Sequence, residues 1–166
     1  MNIFIAVILI ATSFLGLVAA PAPKIKADDF QRLTGAPWTG TLTYLDYGKN
    51  KKVSIPSTLV VTRAATDART WVFDYQYPNE PQADSKENVA IGKDGKTIGD
   101  ETVVERTTLA DKTLKIVTQK RGTDNDRQAL FRYTYLISAK IFSIKKEVRY
   151  EGAQEFFERN EYSWTR

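Results

Sequence analysis

The chain has 166 residues, with 24 basic and 20 acidic side chains, a formal charge of +4 and a 42% hydrophobic content. This composition predicts one folded domain rather than a disordered chain, and the interleaving of the charges does not favour nucleic-acid binding. The chain has no Cys and no His, which excludes disulfides, Ser-His-Asp and Cys-His catalysis, and the usual zinc and haem ligands.

Residues 3–20 form an apolar run whose only polar or glycine members are Thr12, Ser13 and Gly16. Together with Val18-Ala19-Ala20, this run predicts a signal peptide over residues 1–20 that is cleaved near Ala20. The alternative is an uncleaved membrane anchor formed by residues 3–20, because the run approaches the ~20 residues that span a bilayer. Both interpretations predict a secreted or periplasmic domain, with membrane contact only through this segment if it is not cleaved.

A linker over residues 21–27 is predicted next, because Pro21 and Pro23 disfavour regular structure. Residues 28–33 then predict a short helix, with Asp28 as its N-cap and Gly35 ending it. No helical periodicity follows. The folded domain is therefore expected over residues 28–166.

The rest of the chain shows short alternating runs rich in Thr, Val, Tyr, Phe and Trp, broken by turn residues. Asp94-Gly95 is the strongest hairpin signal, since Asp-Gly suits a type I′ turn. Nine strands are predicted: Trp38–Tyr47, Ser57–Arg63, Thr70–Tyr77, Glu87–Lys93, Thr97–Arg106, Thr113–Lys120, Gln128–Ser138, Lys140–Tyr150 and Glu155–Thr165.

Sequential strands with short links and no crossover helices predict an all-β, antiparallel up-and-down barrel of about 8–10 strands. Closure into a barrel is favoured because it removes exposed strand edges. A two-sheet sandwich is the alternative.

The segment Leu33-Thr34-Gly35-Ala36-Pro37-Trp38-Thr39-Gly40 resembles the opening of a lipocalin-like (calycin) barrel, in which a short helix leads to a Gly-x-Trp signature. Here the spacing from Gly35 to Trp38 is one residue longer. The resemblance implies a barrel with Trp38 plugging one end and a small hydrophobic molecule bound inside. The Arg-x-Tyr pair with which fatty-acid-binding relatives hold a carboxylate is absent, since Arg159 and Tyr162 are three residues apart.

Alternation along the strands suggests which side chains face the barrel interior. In the seventh strand the apolar face is Phe131, Tyr133, Tyr135 and Ile137, which places Arg132 and Thr134 outside. In the last two strands polar residues interrupt the apolar face, and a buried charge needs a partner or a ligand. The candidate ligand-binding residues are therefore Trp71, Phe73, Tyr75, Lys146, Glu158, Asn160 and Tyr162. The alternative is that Lys146 and Glu158 simply pair with each other, or that the assumed register slips near the ends of these strands.

No metal or cofactor is predicted. Asp124-Asn125-Asp126 resembles a fragment of a calcium loop, but Arg127, Gln128 and Ala129 occupy positions where further ligands or a glycine would be needed. We interpret this segment as a polar turn.

Three hypotheses follow for function. The leading one is an exported lipocalin-like protein that binds a small apolar or amphipathic molecule. The second is a structural or interaction module of the cell envelope, with its barrel filled by side chains. The third and weakest is a carboxylate-based enzyme using a pair among Asp100, Glu101, Glu155, Glu158 and Glu161.

Overall fold

The computed structural model describes residues 22–46, 48–49 and 51–166. The predicted signal peptide or anchor over residues 1–20 lies outside the described residues, as does the first residue of the predicted linker. In the described ranges, no helix is long and apolar enough to cross a membrane.

The described residues form ten antiparallel strands preceded by a short helix, α1 (Ala27–Gln31). A single 3-10 turn at Pro81–Ala83 precedes the fourth strand. The strands are β1 (Trp38–Asp46), β2 (Lys51–Arg63), β3 (Thr70–Gln76), β4 (Ser85–Ala90), β5 (Thr97–Ile98), β6 (Glu101–Thr108), β7 (Leu114–Asp124), β8 (Arg127–Ile137), β9 (Ile141–Tyr150) and β10 (Phe157–Thr165).

The strands pair with their neighbours in the sequence, and β1 also pairs with β10. This confirms the predicted up-and-down barrel over the sandwich alternative. The barrel is nearly closed at a seam between β4 and β5. There the Asp94-Gly95 turn brings the strands together through an Ile91–Ile98 bridge and hydrogen bonds from Gly92 to Thr97 (3.0 Å) and from Gly99 to Ala90 (2.7 Å).

The predicted strand Thr97–Arg106 is two strands, because the chain turns at Gly99-Asp100 between β5 and β6. Gly99 has a φ of +55°, a conformation that favours glycine. The β-branched residues on both sides of this turn, Thr97-Ile98 before it and Thr102-Val103-Val104 after it, concealed the break.

Strand β2 begins at Lys51, six residues before the predicted start at Ser57, and it includes Pro56. Strand β3 pairs with β2 only from Thr58 onwards, so Pro56 has a neighbouring strand on one side only. A proline is tolerated where its missing N–H faces an unpaired edge. Pro56 therefore lies within β2, although the strand was expected to begin after it.

The polar turn predicted around residues 122–126 is tighter than expected. Asn125 and Asp126 alone connect β7 to β8, with φ values of +48° and +59°. Two positive φ values are those of a two-residue hairpin turn, in which Asn and Asp are tolerated. Strand β7 consequently extends to Asp124.

Helix α1 begins at Ala27, one residue before the predicted start, and closes one end of the barrel. The Asp29 carboxylate accepts a 2.8 Å hydrogen bond from the Lys26 N–H and two hydrogen bonds from Arg106 of β6, at 2.9 and 2.7 Å. Ile25, in the predicted linker, is buried and its N–H donates to the Gly95 carbonyl at 2.9 Å.

Large rings fill the half of the barrel next to α1, which we call the helix end. The side chain of Phe30 extends from α1 into the barrel interior and contacts Trp71 edge-on, with 5.6 Å between the ring centroids. The fully buried side chains of this half include Phe30, Trp38, Trp71, Phe142 and Trp164. Dense aromatic packing there places any cavity in the opposite half.

Candidate ligand cavity

A cavity of about 330 Å³ occupies the half of the barrel opposite the helix end. Strand β4 supplies four of its lining residues, and β3, β8, β9 and β10 supply two each. Its main lining residues are Phe73, Tyr75, Glu87, Glu101, Lys120, Tyr133, Tyr135, Ile144, Lys146, Asn160 and Tyr162.

The cavity opens to solvent beside the seam, where β4 and the start of β6 diverge. Ser85, Glu87 and Asn88 of β4 line one side of this gap, and Gly99 and Asp100 line the other. All five are exposed. A Cβ atom built on Gly99 would meet nothing within 4 Å, so this side of the gap is open space.

Lys146 of β9 directs its ammonium into the cavity. Its Nζ atom lies 4.5 Å from the ring centroid of Phe131 and 5.9 Å from that of Tyr133. Within the part of the chain that the structure describes, the ammonium has neither a hydrogen bond nor an ion pair. Burial lowers the pKa of Lys146, because the ammonium has lost part of its hydration.

Glu101, the first residue of β6, is a second charged residue that lines the cavity. Its Oε2 atom accepts hydrogen bonds from the hydroxyls of Thr118 and Tyr135, the latter at 2.9 Å. Burial raises the pKa of this carboxyl, although both hydrogen bonds oppose the shift. Neither bond uses Oε1, which leaves that oxygen available on a residue that lines the cavity.

Tyrosine rings form much of the remaining wall. Tyr75 and Tyr162 lie 5.4 Å apart between ring centroids, and Tyr162 stacks on Trp164 at 4.9 Å. The Tyr162 hydroxyl is 2.6 Å from that of Tyr77, which holds this ring in place. Burial raises the pKa of Tyr75, Tyr133 and Tyr162, so these phenols present O–H groups rather than charges.

Five of the seven candidate residues line this cavity: Phe73, Tyr75, Lys146, Asn160 and Tyr162. The prediction for β8 is also confirmed. Tyr133 and Tyr135 face inward, whereas Arg132 lies outside and bonds Glu147 through two contacts of 2.8 and 2.9 Å. Alternation therefore located the wall, and whether these residues bind a ligand stays a prediction.

Trp71 does not reach the cavity. It faces inward as predicted, but it is fully buried against Phe30 at the helix end. Its indole Nε1 is buried without a hydrogen-bond partner among the described residues. Alternation along a strand predicts the face of a side chain but not its depth, which here depends on the insertion of α1.

Glu158 lies outside the barrel rather than in the cavity. Its carboxylate pairs with Lys52 at 2.7 Å, so the alternative interpretation of a Lys146–Glu158 pair is also wrong. The reason is a bulge: Glu158 pairs with Glu147, but Asn160 pairs with the adjacent Lys146. Because β10 has one extra residue at this point, the side chains before the bulge face the opposite side of the sheet from the one that simple alternation predicts.

Sequence reasoning missed Glu101 and Lys120 as cavity residues. A second bulge, between Val103 and Glu105, breaks the alternation of β6 and hides the inward position of Glu101. Of the other carboxylates considered for catalysis, Glu155 is exposed and Asp100 lies at the mouth, where it pairs with Lys120 at 3.1 Å. In the described ranges, no cluster of three or more acidic residues could hold a metal ion.

The geometry of the site is compatible with a lipocalin-like barrel, with α1 and Trp38 at one end and a cavity at the other. No family model and no curated protein matches the chain. The case for a function therefore rests on the cavity itself.

Proposed function

We propose that this protein is an exported lipocalin-like barrel that binds a small amphipathic molecule in the cavity opposite the helix end. The observation that carries the proposal is the half-buried ammonium of Lys146, which has no ion-pair partner among the described residues and lines a cavity walled by tyrosines. Ligand sites commonly combine such an apolar wall with a few convergent polar groups.

The alternative of a filled envelope module accounts for only half of the barrel. Rings occupy the helix end, but the opposite half keeps about 330 Å³ of space with a mouth beside the seam. A barrel that served only as a scaffold would have no need of an unpaired cation in its interior, which costs stability. The cavity and Lys146 therefore favour binding.

Export is part of the proposal and rests on the apolar run of residues 3–20. Expression of the full chain in a bacterial host, followed by cell fractionation and N-terminal sequencing, tests it. We expect a mature protein outside the cytoplasm that begins close to Pro21. A full-length protein in the membrane fraction would indicate the anchor instead, and a cytoplasmic protein would contradict export.

Binding is tested by purifying the protein after expression of the full chain and identifying co-purifying molecules by native mass spectrometry. Ile144→Trp should block the cavity and abolish the bound species. Ile141→Trp is the matched control, because Ile141 lies on the same strand but is 50% exposed. A bound molecule that survives Ile144→Trp would place binding elsewhere.

A further inference from the structure

We propose that the ligand is a compact aromatic anion, whose negative charge binds the ammonium of Lys146 and whose ring packs against the tyrosines of the cavity wall. This inference rests on the proposed function, since it assigns the chemistry of the molecule that the cavity holds.

The charge is inferred from a comparison of the cations around the cavity. Lys120 pairs with Asp100 at 3.1 Å, and Arg159, further towards the open end, pairs with Asp124 at 3.2 Å. The Lys146 ammonium instead lies over the rings of Phe131 and Tyr133. A partly desolvated ammonium is stabilised most by an anionic acceptor at hydrogen-bond distance, and among the described residues no carboxylate forms an ion pair with Lys146.

Two partly or fully buried carboxylates attract the charge of Lys146, Asp124 and Glu101, but each is already engaged by other groups. Asp124 pairs with Arg159 at 3.2 Å. Glu101 directs its Oε2 atom to the hydroxyls of Tyr135 and Thr118 rather than to Lys146. Glu147, next to Lys146 in sequence, points outward to Arg132. The position beside the Lys146 ammonium is therefore open to an anion from outside.

The compact shape is inferred from the floor of the cavity. Phe73 lies 6.0 Å from Phe30 and 6.2 Å from Phe142 between ring centroids, so a continuous layer of rings closes the barrel interior below it. A long acyl chain laid along the barrel axis would have to displace this layer. A molecule of one or two fused rings needs only the space that is present.

The aromatic character is inferred from the wall. Tyr75, Tyr133 and Tyr162 line the same cavity, and tyrosine rings contact a further ring in offset or edge-on arrangements at about 4.5–7 Å between centroids. Tyr162 is stacked on Trp164 and bonded to Tyr77, so its ring is held ready for such contact. A preorganised ring loses little conformational entropy when it binds a ligand.

The test is calorimetric titration of the purified, ligand-stripped protein with three probes: naphthoate, the uncharged naphthylmethanol, and palmitate. We expect naphthoate to bind about tenfold or more tightly than naphthylmethanol, which corresponds to one charge-assisted hydrogen bond. Lys146→Met should reduce naphthoate affinity about tenfold and leave naphthylmethanol affinity within about threefold. Lys145→Met, an outward neighbour on β9 that contacts Glu147, should change neither.

The outcomes separate the inference from the proposed function. Tighter binding of palmitate than of naphthoate, or equal binding of naphthoate and naphthylmethanol, would overturn the inference. The proposed function would survive either result if Ile144→Trp still abolished the bound species. Naphthoate binding that Lys146→Met does not weaken would overturn it as well. If no probe binds and the purified protein carries no small molecule, both the inference and the proposed function fail.

Discussion

The guanidinium carbon of Arg166 lies 4.0 Å from the centroid of the Trp38 ring. The same guanidinium donates to the carbonyls of Arg32 at 2.6 Å and Thr34 at 3.0 Å, just after α1. The Trp38 Nε1–H donates to the Leu33 carbonyl at 2.8 Å. The end of β10 and the start of β1 are thus both joined to the segment that closes the barrel.

Replacement of Arg166 by Lys should lower the free energy of unfolding by about 1 kcal/mol, because an ammonium cannot stack flat on Trp38 and donate to several carbonyls at once. Urea titration followed by tryptophan fluorescence measures the change. Arg121→Lys is the control, since Arg121 is exposed on β7. Equal stability of the two variants would show that Arg166 contributes nothing beyond its charge.

The ion pair between Asp29 and Arg106 should be a larger contribution to stability. Asp29 is only 2% exposed and receives two hydrogen bonds from Arg106. Asp29→Asn leaves the guanidinium without its counterion and should cost about 3 kcal/mol in chemical denaturation. Asp28→Asn, on the same helix but exposed, should change stability little.

The same pair should make stability fall in acid. Burial opposes ionisation of Asp29, but the hydrogen bonds from Arg106 and Lys26 outweigh it and hold the pKa below its ordinary value. A carboxyl with a lowered folded-state pKa stabilises the fold above its unfolded pKa of about 3.9, and this stabilisation is lost as the pH falls through the folded value. The stability difference between the native chain and Asp29→Asn should therefore be constant above about pH 5 and shrink below pH 4. Unfolding midpoints measured at each pH check this.

Gly40 lies near the start of β1, where the backbone of β10 approaches closely. A Cβ atom at this position would overlap the Ser163 carbonyl oxygen and lie 2.7 Å from the Trp164 Cα. Because both neighbours are backbone atoms, Gly40→Ala should cost about 3 kcal/mol or more, or prevent folding. Thr41→Ala, at the adjacent exposed position, is the control. A stable Gly40→Ala variant would show that the two strands can separate at little cost.

Neutralising Glu101 should strengthen the binding of an anionic probe. Glu101→Gln keeps the side-chain shape but removes a negative charge from the cavity, so naphthoate affinity should rise about threefold to tenfold. Since burial raises the pKa of Glu101, the native protein should also bind naphthoate more tightly as the pH falls towards that pKa. Calorimetry over a pH series checks both effects. Glu105→Gln, whose carboxylate pairs with Lys115 on the outer face, should leave the affinity unchanged.

Alternating patterns predicted much of this barrel because most strands keep the two-residue period of an ideal strand. In β8 the period holds from Phe131 to Ile137, and the structure places each side chain on the predicted face. In β10 it fails at one bulge, and that bulge carries Glu158 from the predicted interior to the outer face beside Lys52. A bulge depends on how two distant strands meet, so neither strand's own sequence specifies it.

The amino-acid sequence by itself determined the all-β class, the up-and-down order and the inward faces of β3, β8 and β9, because these follow from local periodicity and turn chemistry. Only the tertiary structure decided that rings fill the helix end, that the seam diverges beside Glu101, and that Lys146 has no ion-pair partner among the described residues. These features depend on contacts between residues far apart in the chain, such as Asp29 with Arg106 and Glu101 with Tyr135. The side chains that meet in the cavity are therefore set by strand register and bulges, which become defined only when the barrel closes.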